Sequence, residues 1–509
     1  MSDFEDLVNL ADRKFGATVL YANDDFFASK DNLLAPQAAV FIDGKYTDRG
    51  KWMDGWESKR KREPELSRQP FDFAIVRLGL PGRVRGVVVD TAFFKGNYPE
   101  SCALEGAAIP GYPETAALLG DDVVWTPLLP RTGLAGDAKN RFAVEGAHRV
   151  THLRLRIFPD GGVARLRVHG DVMADPRWRG RRGAVVDLAA AEHGAVVTSA
   201  SDMFFGSRHN LVMPGRAVNM GDGWETKRSR REGPDWVVVA LAASGTIERV
   251  VLDTLHFKGN SPESAAVCVS RSASAADDAW TPLLGRTRLL PHTEHVFDDV
   301  LLAPATQLGA THARLRIWPD GGVSRMRLFG QLDAAGRETS GLAWLDALTD
   351  EDLSTRLLGC CGSRAWAARL LGARPFGTLA SLKALATATW LALPASDHEE
   401  AFRAHPRIGE KKAAGGQSAQ AAAWSGGEQA GVAVADAGTL AELARTNAAY
   451  EQKFGRIYIV CATGRTAEEM LEIARRRLEN DPVAEAREAA LAQDAITLLR
   501  LAKLVLGDA

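Results

Sequence analysis

At 509 residues the chain exceeds what one hydrophobic core holds, so several domains are expected. Apolar residues make up 46% and charged residues 25%, ordinary globular proportions that exclude a disordered or fibrous chain. A net charge of −2 argues against a dedicated nucleic-acid binder. The cysteines Cys102, Cys268, Cys360, Cys361 and Cys461 are scattered, without CxxC or Cys/His metal spacing, and read as reduced cytosolic thiols. The acidic start MSDFEDLVNLADRKFG has no signal-peptide apolar run, and the final LVLGDA is no peroxisomal address. No segment approaches the roughly 18 apolar residues of a membrane span, so a cytoplasmic protein is expected, with no nucleic-acid or membrane partner.

Five blocks recur in one order, the mark of a duplicated domain. ANDDFFASKDNLL (22–34) returns as ASDMFFGSRHNLV (200–212), and MDGWESKRKR (53–62) as GDGWETKRSR (221–230). DTAFFKGN (90–97) returns as DTLHFKGN (253–260), and WTPLLPRT (125–132) as WTPLLGRT (280–287). The last pair is THLRLRIFPDGGVARLRVHG (151–170) and THARLRIWPDGGVSRMRLFG (311–330).

Each copy reads as all-β. WVVVALAASGTIERVVLDT (236–254) predicts two β-branched strands about a Ser-Gly turn, and RLRIWPDGGVSRMRL predicts a hairpin about Pro-Asp-Gly-Gly. In that hairpin Leu315, Ile317, Met326 and Leu328 share a parity and should face a core. Arg314, Arg316, Arg325 and Arg327 should face away, as should Arg154, Arg156, Arg165 and Arg167 in the first copy. Four like charges on one face repel unless they meet acids elsewhere or line an anion site. The runs KRKR and KRSRR lie beside Glu57, Glu63, Glu225 and Glu232, which favours a solvated, salt-bridged strand over a nucleic-acid surface. Short strands and frequent turns predict a jelly-roll β-sandwich for each copy.

From about residue 342 the period changes. LAWLDALTDEDLSTRLLGCCGS, SLKALATATWLAL, TLAELARTNAAYEQKFG, TAEEMLEIARRRLEN and EAREAALAQDAITLLRLAKLVL carry apolar residues at three- and four-residue spacing, predicting amphipathic helices. Residues 413–431 read as a Gly- and Ala-rich loop. The expected division is one β repeat over 1–178, a second over 179–335 and a helical domain over 342–509, with a polar, glycine-bearing boundary at 330–341.

The tandem half resembles allantoicase through GWESKRKR and GWETKRSR, the DTxxFKGN pair and the PDGGVxR segments, over residues 15–330. The resemblance implies two jelly-roll, galactose-binding-like sandwiches, assembly into homo-oligomers, and hydrolysis of allantoate to (S)-ureidoglycolate and urea. Such a substrate, a small carboxylate bearing two ureido groups, calls for a cationic clamp and for an acid that protonates the departing urea nitrogen. Candidate acids are Glu225, Asp253, His256 and Glu263 in copy two, and Glu57, Asp90 and Glu100 in copy one. Lys95, Lys258, Asn97 and Asn260 offer donors to ureido carbonyls, and Arg228 a planar cation. The structural reading is that Asp90 and Asp253 end a strand as turn formers. Copy two has His256 where copy one has Phe93, and His209 where copy one has Asp31, so a catalytic histidine would equip one copy only. Alternatively one site draws on both copies. No cofactor is called for; a divalent metal stays open for this half, where His292-x-x-His295 is the nearest thing to ligand spacing.

The helical half resembles 2-oxo-4-hydroxy-4-carboxy-5-ureidoimidazoline (OHCU) decarboxylase, through Trp366, RPF (374–376), HPRIG (405–409), WSGGEQAG (424–431), NAAYEQKFGRIYIV (447–460) and LRL (499–501). The resemblance implies catalytic roles for His405, Glu428 and Arg500, substrate contacts from Ser425 and Gln429, a pocket shaped by Pro406 and the backbone at Ile459, and the product (S)-allantoin. Decarboxylation without a cofactor needs the electrons left by CO2 delocalised and a proton placed on one face; His405 can donate and accept near pH 7. Taken singly, each has a bland reading: a helix terminus at His405-Pro406, a cap at Glu428, a surface Arg500 beside Arg475 to Arg477. The sequence thus predicts a bifunctional enzyme acting on small ureides. The competing class is a pair of carbohydrate-type binding modules joined to a helical assembly domain, or a chain with one half inactive.

Overall fold

The structure is a computed structural model and describes residues 4–62, 70–145, 148–175, 182–230, 232–273, 276–408, 424–426, 428 and 435–507. The chain clusters into two compact units, residues 1–175 with 185–330 and residues 176–184 with 331–509.

In the first unit each copy is an antiparallel jelly-roll sandwich built on one long strand. The main strands of copy one are β1 (Asp72–Asp90), β2 (Ser101–Ala107), β3 (Val150–Phe158) and β4 (Arg165–Val172); those of copy two are β5 (Asp235–Asp253), β6 (Ser264–Ser270), β7 (Ala310–Trp318) and β8 (Arg325–Leu332). The start of β1 pairs with β3 and with Thr18–Ala22, whereas its end pairs with β4 and with Lys139–Ala143. One strand therefore crosses from one face of the sandwich to the other, bending near Gly79, Pro81 and Gly82, residues that suit a corner.

Two sequence expectations are corrected here. The Ser-Gly pair at 244–245 is not a turn between two strands: β5 runs unbroken, and its register shifts between Ala240 and Gly245 as it bends. The Pro-Asp-Gly-Gly segments do not close hairpins either. β7 and β8 both pair with β5 and not with each other, so the turn is a corner between neighbours separated by a third strand. Local alternation gives the buried face but not the partner.

That face is as expected, with Leu315, Ile317, Met326 and Leu328 all at 0% exposure. Across the two copies, several of the arginines on the other face are ion-paired. Arg154 and Arg156 meet Glu105 at 2.7 and 3.3 Å, and Arg327 meets Asp187 at 3.6 Å. Arg165 and Arg325 are not turned to solvent. Each is 3% exposed, paired with Asp54 at 2.8 Å and Asp222 at 3.1 Å, and tied to loop carbonyls, which clamps the loop carrying the GW motif onto the sandwich. Trp56 and Trp224 are wholly buried, their indole N–H groups donating to the carbonyls of Asp24 and Asp202. These are core residues and not the exposed aromatics of a sugar-binding face.

The double glycines have a packing reason. Gly161 and Gly321 sit at φ of 132° and 126°, and a Cβ on Gly162 or Gly322 would fall 1.9 Å from the ring of Phe94 or Phe257. Gly322→Ala is therefore expected to cost about 1–3 kcal/mol or more in urea denaturation of the first unit, whereas Gly259→Ala, which meets open space, should cost far less.

The second unit is helical: α1 (Ala334–Asp346), α2 (Asp350–Cys360), α3 (Arg364–Leu371), α4 (Leu379–Leu391), α5 (Ala395–Arg403), α6 (Ala437–Phe454), α7 (Ala467–Arg477) and α8 (Pro482–Leu506). The polar stretch around 334–341 is already helix, capped by the Asp333 side chain on the Gly336 N–H at 2.8 Å. The expected loop at 413–431 falls largely outside the described residues. α8 packs against α1, α2 and α4 around Leu345, Leu357, Trp366, Trp390, Leu501 and Leu504. Its buried positions Gln493, Ile496, Thr497, Arg500, Leu501 and Leu504 recur at three- and four-residue spacing, so the stripe that builds the core also carries an arginine inward. Among the described residues no helix is long and apolar enough to cross a membrane.

Candidate functional site

In the helical unit the residues singled out by sequence converge. His405, Pro406, Ser425, Glu428, Ile459 and Arg500 line one recess; Gln429 lies outside the described residues. Position follows from local structure: α5 ends at Arg403 because Pro406 disfavours helix just before it, and the chain turns His405 toward α8. Arg500 is only 3% exposed. It forms a fork on Glu428, Nε to Oε1 at 3.1 Å and Nη2 to Oε2 at 2.8 Å, while Nη2 also donates to Ser425 Oγ at 2.9 Å. Nη1 donates to the Gly359 carbonyl at 3.3 Å, and Lys503 approaches Glu428 at 3.4 Å. The bland reading of Arg500 as a surface residue is thereby excluded.

Burial, with Arg500's positive charge second, pushes the His405 pKa from 6.5 down to about 3, the Gln493 carboxamide opposing them. The imidazole is neutral at pH 7 and ready to accept a proton. Because the folded value lies below the free one, kcat/KM for decarboxylation should stay level from about pH 8 to about pH 5.5. A pH series checks this; an acid limb centred near 6.5 would contradict it.

Sequence reasoning missed Gln493, which is fully buried and donates to Thr497 Oγ1 at 3.1 Å, and Lys503. Both lie on α8, seven residues before and three residues after Arg500, and that helical periodicity was the signal available. It also missed the ion pair of Arg477 with Glu485, at 1% and 0% side-chain exposure, with Arg477 donating to the Ile459 carbonyl at 2.6 Å. That pair fixes the backbone at Ile459 from behind.

In the β unit the octapeptide motifs of both copies place an asparagine on a glutamate: Asn97 Nδ2 to Glu57 Oε1 at 2.7 Å, and Asn260 Nδ2 to Glu225 Oε1 at 2.6 Å. Burial raises the pKa of Glu57, the Asn97 hydrogen bond opposing it. Asp90 and Asp253 are buried and accept from the N–H two residues on, at 2.9 and 2.8 Å, which is the turn role. Phe93 and His256 both occupy the left-handed region, at φ of 68° and 73°, a strain kept in both copies. His256 is held by its Nε2 on the Ala217 carbonyl at 3.0 Å. Lys95, Lys258, Arg228, Glu100 and Glu263 are exposed, Glu263 on Arg286 at 3.3 Å. His209 is buried beside a recess between the copies, lined also by Lys14, His169, Phe204 and Phe205, which no octapeptide residue reaches. His292 and His295 are taken up by backbone N–H groups, of His256 at 2.9 Å and Leu290 at 2.8 Å. Among the described residues no three His, Cys, Asp or Glu side chains group as metal ligands.

A family model described as allantoicase repeat matches residues 8–173 and 186–333, and one described as OHCU decarboxylase matches 346–502. A probable allantoicase of Streptomyces coelicolor is 46% identical over 338 residues, covering 65% of this chain and 88% of that protein. Probable allantoicase 2 of Burkholderia pseudomallei is 46% identical over 334 residues, covering 64% of this chain and 95% of that protein. The crystal structure of allantoicase from Saccharomyces cerevisiae superposes with a TM-score of 0.52 at 32% identity, covering 65% of this chain and 96% of that one. The chain belongs to the allantoicase family and carries an OHCU decarboxylase domain after its two repeats.

Proposed function

We propose that the chain is a bifunctional enzyme of purine degradation, hydrolysing allantoate to ureidoglycolate and urea in its β unit and decarboxylating OHCU to (S)-allantoin in its helical unit. The observation that carries the second activity is the recess in which neutral His405 faces the Arg500 and Glu428 fork. Loss of CO2 leaves an electron pair that the adjacent imine of the substrate ring delocalises. The C–CO2 bond pair becomes a C=C bond to the imine carbon, and the imine π pair moves onto its nitrogen, which takes a proton from water. His405 takes the hydroxyl proton as the C=O bond forms and gives a proton to one face of the former imine carbon, fixing the configuration. Arg500 meets the carboxylate or the charge that develops from it, and Glu428 with Ser425 accepts and donates to the ureido group. Gln429 belongs to the same reading as a ureido contact. The decarboxylation calls for no cofactor.

In the β unit, hydrolysis is assigned to the region where GWE and FKGN meet, because that is where an acid, an amide and a lysine stand together. A ring-opening hydrolysis must intervene between allantoin and allantoate, so the product of one unit is not the substrate of the other. Homo-oligomers are part of the same reading and are checked by sedimentation of the full chain. The function itself is tested by incubating the full chain with allantoate and measuring urea, and with freshly generated OHCU and measuring CO2. Silence in either assay removes that half.

A further inference from the structure

The two copies share the glutamate and asparagine but differ in what surrounds them. In copy one the segment from Leu34 to Met53 is about twice the length of its counterpart from Val212 to Gly221, and it folds a small hairpin, Tyr46–Thr47 on Gly50–Lys51. That insertion brings Phe41, Asp43 and Lys51 opposite Glu57, Lys95 and Asn97 around a cavity of about 580 Å3, within the usual range for a small-molecule site of about 300–1,000 Å3. Phe41 stacks on the strained Phe93 with centroids 5.9 Å apart, making an apolar side wall. In copy two the short segment packs on the motif itself: its Ala217 carbonyl takes the His256 ring, and Asn260 Nδ2 rests 3.7 Å from Met220 Sδ.

We propose that allantoate is bound and hydrolysed in the copy-one cavity, with Glu57 as acid and then base, and that the copy-two counterpart is scaffold. This rests on the reading of the β unit as a hydrolase. The cavity offers what the substrate needs: Lys51 and Lys95 as cations for the carboxylate, Asp43 and Asn97 for ureido N–H and carbonyl groups, and Glu57 held protonated more readily by burial. Glu57 gives its proton to one ureido nitrogen as the C–N bond breaks, and the bond pair leaves with urea. The nitrogen lone pair of the remaining ureido group forms a C=N bond, an acyl iminium. Water adds its oxygen to that carbon, the π pair returns to nitrogen, and the water proton goes to the Glu57 carboxylate, regenerating the acid. The sum is allantoate plus water to ureidoglycolate plus urea.

The assignment runs against the expectation that the histidine-bearing copy is the equipped one, since His256 is spent on a backbone carbonyl while Phe93 lines a cavity. The test is urea release from allantoate by full-length Glu57→Gln and Glu225→Gln, with denaturation of the β unit by urea as the folding control. Glu57→Gln is expected to lose about a hundredfold or more in kcat, and Glu225→Gln no more than about threefold. Lys51→Met, on a hairpin that copy two lacks, should raise KM for allantoate at least about tenfold with kcat nearly kept. Loss in Glu225→Gln with Glu57→Gln intact, or equal loss in both, overturns the assignment to copy one. A wild-type chain that releases no urea overturns the hydrolase reading itself.

Discussion

Replacing His405 by alanine is expected to lower kcat for decarboxylation by about a hundredfold or more while urea release from allantoate stays at the wild-type rate. Among the described residues lining the recess, the ring is the one suited both to take a proton from bound substrate and to return it, and Arg500 beside it helps keep it neutral until substrate arrives. The remaining lining groups do not stand in: Arg500 does not deprotonate, and Glu428 is committed to it through two hydrogen bonds. Loss of the positioned donor also removes facial control, so the residual product should be racemic, as circular dichroism of the allantoin formed would show. His405→Gln, which keeps a hydrogen-bonding group but no titration, should be as slow as alanine.

The second large effect is on Arg500. Arg500→Leu leaves Glu428 and Ser425, at 9% and 5% exposure, without their partner. Breaking a buried pair from one side costs about 3–5 kcal/mol, because the surviving charge has lost both water and counterion. A fall of that size in the helical unit's stability toward urea is expected, together with loss of decarboxylation. Lys503 at 3.4 Å softens the loss slightly. The double variant Arg500→Leu with Glu428→Gln should regain much of the stability and none of the activity, which separates folding from chemistry. A single variant that is fully stable yet inactive, or destabilised yet active, would contradict the pairing.

Much of the fold was legible in the sequence because duplication and periodicity are local signals. The five repeated blocks predict two like sandwiches, and three- and four-residue spacing predicts the helices. Pairing is not a local signal. The segments about Pro-Asp-Gly-Gly alternate as a hairpin would, yet β5 lies between the two strands, and only contacts far apart in sequence decide that. Burial of charge was hidden for the same reason: Arg325 alternates like a solvent-facing residue, and the loop at 213–222 folds over it. The recess around His405 was legible through ordered motifs that the fold brings together, whereas Gln493 and Lys503 had no motif and only a shared helix face. In the β unit, the longer copy-one segment after Leu34 carries no motif, and that it walls a cavity needed the structure.

Whether one chain carries two independent activities is tested most directly by assaying a single full-length preparation, wild type and His405→Ala, for urea from allantoate and for CO2 from OHCU. Both products from the wild type, and urea alone from the variant, is the predicted result. CO2 released at the wild-type rate by His405→Ala, or no urea from either protein, would contradict it.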